Sequence, residues 1–191
     1  MILCMDTCYK DLSLTLIDNN SIVDSYNSEC FKKQSEMIMV ELDNLMKKNN
    51  LKLQNLDGIC ISYGPGSYTG VRIAMTVAKV IASQLKIKLY VISTLRLYAN
   101  NAKNTAVIMD ARAKRCYFGI YDVDKIILED TIITNEEISN YQDYNFVGDL
   151  HLIDLEDHFY NVSECFLNTK DYWIEVENID AVKPRYLKEY E

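Results

Sequence analysis

Displacing the chain by 104 positions lays one segment over another without a gap. Met5-Asp6 falls on Met109-Asp110, Lys10 on Lys114 and Ile22 on Ile126. Between these points the alternating stretch Leu12–Asp18 falls on Cys116–Asp122. Each copy reads as a buried strand ending at an aspartate, a polar turn, a strand of period-two alternation, an Asp-containing turn and a third strand. A chain built this way folds as two lobes, expected at 1–104 and 105–191. The second copy has 87 of the 191 residues in which to build what the first builds in 104, so it is expected to be shortened.

After the third strand of the first copy, around 21–31, the spacing predicts a helix over 35–49. Ile38, Leu42 and Leu45 share one face, with Met39 and Met46 beside them. Ser35 and Glu36 supply an acceptor and an acid near its first turn. Leu56–Tyr63 reads as a buried strand that enters Gly64-Pro65-Gly66-Ser67-Tyr68-Thr69-Gly70 and then a second helix ending near Leu85. Leu89–Ile92 is a further strand, and Ser93 or Thr94 caps a helix through about Ala99. In the second copy Asn145–Gly148 is the fourth strand, and Ile179–Lys188 reads as a terminal helix despite Pro184.

Strand–strand–strand–helix–strand–helix, twice, is the duplicated ribonuclease-H-like unit. The expected fold is therefore α/β, two such lobes of the actin/hexokinase/Hsp70 superfamily (the ASKHA fold), the second shortened. In that superfamily the aspartate ending each first strand faces a cleft for nucleotide and metal, so position alone makes Asp6 and Asp110 candidates. Asp122 is a third carboxylate of the same kind. Strand-end aspartates also serve as plain turn acceptors, and both readings stay open at this point.

Charge narrows the function classes. The net charge is -8, with 12 basic and 10 acidic side chains in residues 1–110 and 8 against 18 in residues 111–191. Gripping nucleic acid needs a basic face, which this balance argues against for the chain alone. The six cysteines, at 4, 8, 30, 60, 116 and 165, form no CxxC pair, and the histidines are His151 and His158, so no zinc spacing is present. The opening Met1–Asp6 lacks the basic region of an export signal, and no apolar run approaches membrane-spanning length. Free thiols in the cytoplasm are the expectation.

Two local features carry more. The loop 64–70 has glycines free to take unusual backbone angles, and Ser67 or Thr69 can cap the following helix. It can present amides to an anion or simply make a tight turn for close helix–sheet packing. It is not a Walker A loop, since no Gly-Lys-Ser/Thr follows. The helix after it is apolar around most of its circumference. Val71, Ala74, Met75, Ala78, Ile81, Ala82 and Leu85 fill one face and Ile73, Val77 and Val80 a second, leaving Arg72, Thr76, Lys79 and Ser83 as the polar stripe. Such a helix is either covered on both sides within the monomer or meets another protein on one of them.

On these residues the chain resembles the TsaB (YeaZ) family of tRNA threonylcarbamoyladenosine biosynthesis proteins. The resemblance rests on Ile2, Leu3, Asp6 and Thr7 at the start, Ser35-Glu36, the run Gly64 to Ile73 including Arg72, Val91–Leu95, Asp110-Ala111-Arg112 and Pro184–Lys188. It departs at Gln34, where the family often has His, and at Arg115, where an acid commonly follows the Asp-Ala-Arg motif. The resemblance implies a non-catalytic partner, inactive alone, that scaffolds a TsaD-like catalytic subunit. A TsaE-like ATPase joins the assembly, and ATP and metal belong to those partners. Transfer of threonylcarbamoyl to the adenosine beside the anticodon would bring tRNA to this chain only through the complex. A homodimer is a further partner state, and no membrane is involved. Pairing falls on helices 35–49 and 69–85, which points to Met39, Leu42, Met46, Val71, Ala74, Met75, Ala78 and Ile81. Asp6 and Asp110 then mark a degenerate cleft. The competing reading is an ATP-dependent phosphotransferase of the same superfamily that uses those two aspartates.

Overall fold

The computed structural model describes residues 1–30 and 32–187. Phe31, the expected end of the third strand, and Lys188, shared by the expected terminal helix and the last motif, lie outside the described residues.

Strands β1 (Ile2–Asp6), β2 (Asp11–Asp18) and β3 (Ser21–Glu29) form an antiparallel meander. α1 (Gln34–Lys48) leads to β4 (Gly58–Ser62), parallel to β1, and α2 (Gly70–Leu85) leads to β5 (Lys88–Ile92), parallel to β4. The short helix α3 (Thr94–Tyr98) follows, and its N-cap is Ser93, whose hydroxyl accepts from the Arg96 amide. The second sheet repeats the plan with β6 (Thr105–Arg112), β7 (Arg115–Asp122), β8 (Lys125–Thr134) and β9 (Asn145–Gly148) in the order β8-β7-β6-β9. β7 is displaced from β2 by 104 at both ends.

The copies are not identical. Asp6 pairs with Ser13, but Asp110 pairs with Cys116 rather than with Tyr117, the repeat equivalent of Ser13. An irregularity between Asp110 and Arg112 absorbs the one-residue difference, and such bulges re-aim side chains. The second copy is also thinner. A 15-residue helix links β3 to β4, whereas a 7-residue 3-10 stretch, Asn135–Tyr141, stands between β8 and β9.

Three apolar layers result. Leu3, Met5, Ile59 and Ile61 pack under α1 and α2. On the other sheet face Cys4 and Cys60 meet α3, α4 (Val162–Asn168) and the inner face of the second sheet through Val107, Met109 and Tyr117. The outer face of that sheet is covered by Ile138 and Leu150 from 3-10 turns. Central strands buried on both faces explain the unbroken apolar runs of β1 and β4. All six cysteines are free and buried. Among the described residues no helix is long and apolar enough to cross a membrane.

Residues 105–191 do not form one lobe. α4 packs on β1, β2 and β3, and β10 (Ile174–Glu175) pairs with β5, giving the six-stranded order β10-β5-β4-β1-β2-β3. The terminal helix expected over 179–188 is not formed among the described residues: the chain runs on as an irregular strap. Pro184 lacks an N–H and clashes with a preceding helical turn. The strap instead bonds outward. The Val176 amide donates to the Leu89 carbonyl (2.8 Å), the Arg185 amide to the Tyr63 carbonyl (2.7 Å), and Lys79 Nζ to the Asp180 carbonyl (2.9 Å). Nor does Ser35 cap α1. Lys33 occupies the N-cap without a side-chain bond, and Gln34 is buried, its amide donating to the Tyr9 carbonyl at 3.0 Å.

Candidate functional site: a bridged cleft and a motif loop

Asp6 ends β1 as the repeat requires, but its carboxylate is enclosed. Oδ1 accepts from the Cys8 amide (2.9 Å) and the Ser62 hydroxyl, and Oδ2 from the Tyr98 hydroxyl (2.7 Å). Burial, then the Asp6 charge, hold the Tyr98 hydroxyl well above its ordinary range, so it stays a donor. The same two causes push the Cys8 thiol up, away from the reactive thiolate. Asp110 folds back on its own turn, accepting from the Arg112 amide (2.8 Å) and pairing with the Arg112 guanidinium (3.1 Å). Asp122 accepts from the Asn104 amide (3.1 Å), the turn-acceptor role.

A residue with no signal in the sequence closes the space between the lobes. Asp149, fully buried after β9, accepts from the Asp110 amide (2.7 Å) and from the Tyr9 hydroxyl (2.6 Å to Oδ2), and pairs with Lys10 at 3.5 Å. Tyr9 and Lys10 belong to the β1–β2 turn, so Asp149 ties the second lobe to the first. Phe159 packs against Tyr9 and Tyr98, with ring centroids 5.7 and 5.8 Å away. Asp149, His151 and Asp157 form the one group among the described residues with ligand atoms close enough to share an ion. His151 Nδ1 sits 2.8 Å from Asp157, and Asp149 is already engaged by three donors. That arrangement is a satisfied hydrogen-bond cluster.

The loop 64–70 is spent on the same turn. The Ser67 amide donates to the Cys8 carbonyl (2.8 Å), and Ser67 Oγ caps the Gly70 amide (3.2 Å), while Thr69 makes no cap bond. Thr7 is a second unforeseen link: its hydroxyl donates to the Gly70 carbonyl (2.7 Å) and accepts from the Ala74 amide (3.1 Å). The Ser67 and Gly70 amides find their acceptors within the protein, as in a tight turn. A methyl at Gly66 would overlap the Cys8 carbonyl. Gly66→Ala is accordingly expected to lower stability by about 2–3 kcal/mol, read as a drop in the urea midpoint at unchanged slope. Outside the turn, the Tyr68 and Tyr186 rings stack 5.3 Å apart, the Arg72 guanidinium lies 3.9 Å over Tyr68, and Arg72 Nε donates to the Tyr186 hydroxyl (2.7 Å). The loop motif and the Pro184–Tyr186 motif therefore meet on one surface.

A family model described as TsaD, tRNA N6-adenosine threonylcarbamoyltransferase, matches residues 27–148. The tRNA threonylcarbamoyladenosine biosynthesis protein TsaB of Bacillus subtilis is 32% identical over 135 residues, which is 69% of this chain and 59% of that protein. The chain belongs to the TsaB (YeaZ) family. It spans about three fifths of the length of the TsaB relatives it first matches. An uncharacterized protein of Mycoplasma pneumoniae aligns at 25% identity over 98% of this chain and 94% of its own. YeaZ from Pseudomonas aeruginosa shares the fold, with a TM-score of 0.81 at 20% identity over 97% of this chain and 99% of that one.

The helices assigned to pairing in TsaB-like chains are placed differently from the sequence expectation. Leu42, Met46, Val71, Ala74, Met75, Ala78 and Ile81 are all buried within the monomer. The reason is that α2 is covered twice. One face packs on the sheet and α1, and the strap's Val176, Ile179 and Val182 add to the same core. Of the eight residues, Met39 faces solvent, 51% exposed. Val40 (56%) and Val80 (58%) are exposed apolar side chains of α1 and α2 that the sequence reading left out of the set.

Proposed function

We propose that this chain is the non-catalytic partner of a TsaD-like subunit in the synthesis of threonylcarbamoyladenosine on tRNA. Its family membership and the match to the TsaD model support the pathway. The observation that carries the non-catalytic role is the state of Asp6 and Asp110. Asp6 is enclosed by three protein donors and presents no free carboxylate to nucleotide or metal, and Asp110 is turned onto Arg112 of its own turn. In this reading ATP and metal belong to the partners, a TsaE-like ATPase joins the complex, and tRNA reaches the chain only through it.

The pairing surface is the exposed outer side of α1 and α2, where Met39, Val40 and Val80 stand. Mixed with its TsaD homologue, the wild-type chain is expected to co-elute as one complex. Val80→Arg is expected to weaken that association at least thirtyfold, the effect of losing about 2 kcal/mol at a hot spot. Its own melting temperature should hold, because Val80 is mostly exposed. Two outcomes would count against this function: unchanged tRNA threonylcarbamoyladenosine after deletion of the gene, or ATP turnover by the isolated chain that disappears in Asp110→Asn.

A further inference from the structure

A cavity of about 250 Å3 lies at the junction of the lobes, lined by residues distinct from those that bridge the cleft. One wall is Arg96 of α3, only 5% exposed. Its guanidinium lies 3.7 Å from the Tyr172 ring centre and 5.2 Å from that of Tyr121. Nη2 donates to the Val123 carbonyl and reaches Asn101 at 3.5 Å, while Nε and Nη1 have no hydrogen-bond partner. Among the described residues no carboxylate lies within ion-pair distance of it. The buried acid of the cavity, Asp130, is already engaged by Ser93, Tyr121 and Arg185. A buried cation with two orphan donors and no counter-charge is costly to maintain. Two aromatic faces offset only part of that cost.

We propose that this cavity binds a small organic monocarboxylate, its carboxylate directed at Arg96 and its apolar body against Ile92 and Ile126. Turning the guanidinium so that an orphan N–H meets the carboxylate would exchange its Val123 contact for a charge-assisted bond in a low-dielectric site. The same walls select against more highly charged ligands. Asp124, Glu129 and Asp130 line the site together with Lys125 and Arg185, and Arg185 already pairs with Asp130 at 3.0 Å and with Glu129 at 3.7 Å, so beyond Arg96 the walls carry no surplus of positive charge to hold a phosphate dianion or a nucleotide.

The test is titration of the full chain, uniformly labelled with 15N, with benzoate and acetate, and in separate samples with inorganic phosphate and ATP, following the Arg96 Nε–H resonance. Benzoate is expected to shift that resonance saturably, acetate more weakly, and phosphate and ATP not at all. Arg96→Met should weaken benzoate binding at least tenfold and Arg96→Lys should retain most of it. If Arg96→Met does not fold, Ile126→Trp decides, because a ring at this exposed rim position fills the cavity and leaves Arg96 intact. Its expected result is loss of benzoate binding at an unchanged melting temperature. The proposal fails if neither carboxylate moves the resonance at millimolar concentration. It also fails if phosphate binds as well as benzoate, or if benzoate binds Ile126→Trp as it binds the wild type.

Discussion

Ala74→Arg, and equally Ala78→Arg, is expected to unfold the chain rather than to release a folded monomer that has lost its partner. Both positions are fully buried. The Ala74 amide donates to Thr7 Oγ1, which also holds the Gly70 carbonyl, so the backbone there cannot shift without releasing the motif loop. Ala78 packs in the same layer as Leu3, Met5 and Ile61. Forcing extra methylenes into a packed core costs about 1–3 kcal/mol, and an unpaired buried charge adds several more. The sum approaches a domain's entire stability of about 5–15 kcal/mol. Near-ultraviolet circular dichroism of the purified variant, with no partner present, measures this directly. A native spectrum and an unaltered urea midpoint would show that α2 is not a core helix. Were Ala74 and Ala78 pairing residues, as the sequence analysis expects, a variant at one of them could lose its partner and stay folded. Both are buried, whereas Val80 on the same helix is 58% exposed.

Asp130→Ala is expected to cost about 3–5 kcal/mol, the range for breaking a buried ion pair by removing one partner. The carboxylate of Asp130 gathers three parts of the chain. Ser93 comes from the N-cap of α3 (2.6 Å), Tyr121 from β7 and Arg185 from the strap (3.0 Å). Burial and the Asp130 charge hold the Tyr121 hydroxyl well above its ordinary value, so at neutral pH it remains a donor and needs that acceptor. Denaturant unfolding of Asp130→Ala, Arg185→Ala and the double variant separates the pair. A coupling above about 0.5 kcal/mol is expected for groups in one network. Simple additivity, or a loss below about 1 kcal/mol for Asp130→Ala, would mean that the three segments are held by their apolar contacts alone.

How much of this was legible in advance varied with the kind of signal. The meander in each lobe could be read because β2 and β7 alternate side-chain types with period two, and an aspartate stands at or near the end of the strand before each: Asp6 ends β1, while β6 runs two residues past Asp110. α3 could be read from Ser93, a side chain that satisfies an orphan amide three residues on. α2 was legible as a helix but not in its partners: a helix apolar around most of its surface states that it is covered, never by what. Here the strap covers it, and the strap is anchored by β10, two residues long, too short to show any period. Asp6 and Asp110 stand at corresponding places in the two copies, yet the group that links the lobes, Asp149, bonds to Tyr9 across 140 positions, a distance over which no local pattern carries information.

The sequence by itself determined the duplicated α/β plan, the thinner second copy and the family motifs, because strand alternation, capping and turn chemistry act between neighbouring residues. The tertiary structure alone decided that residues 161–187 return to the first lobe, that seven of eight expected interface residues are core, and that the two cleft aspartates are occupied by protein donors. Each of those depends on which distant segment arrives to take up an exposed face or an unfilled hydrogen bond.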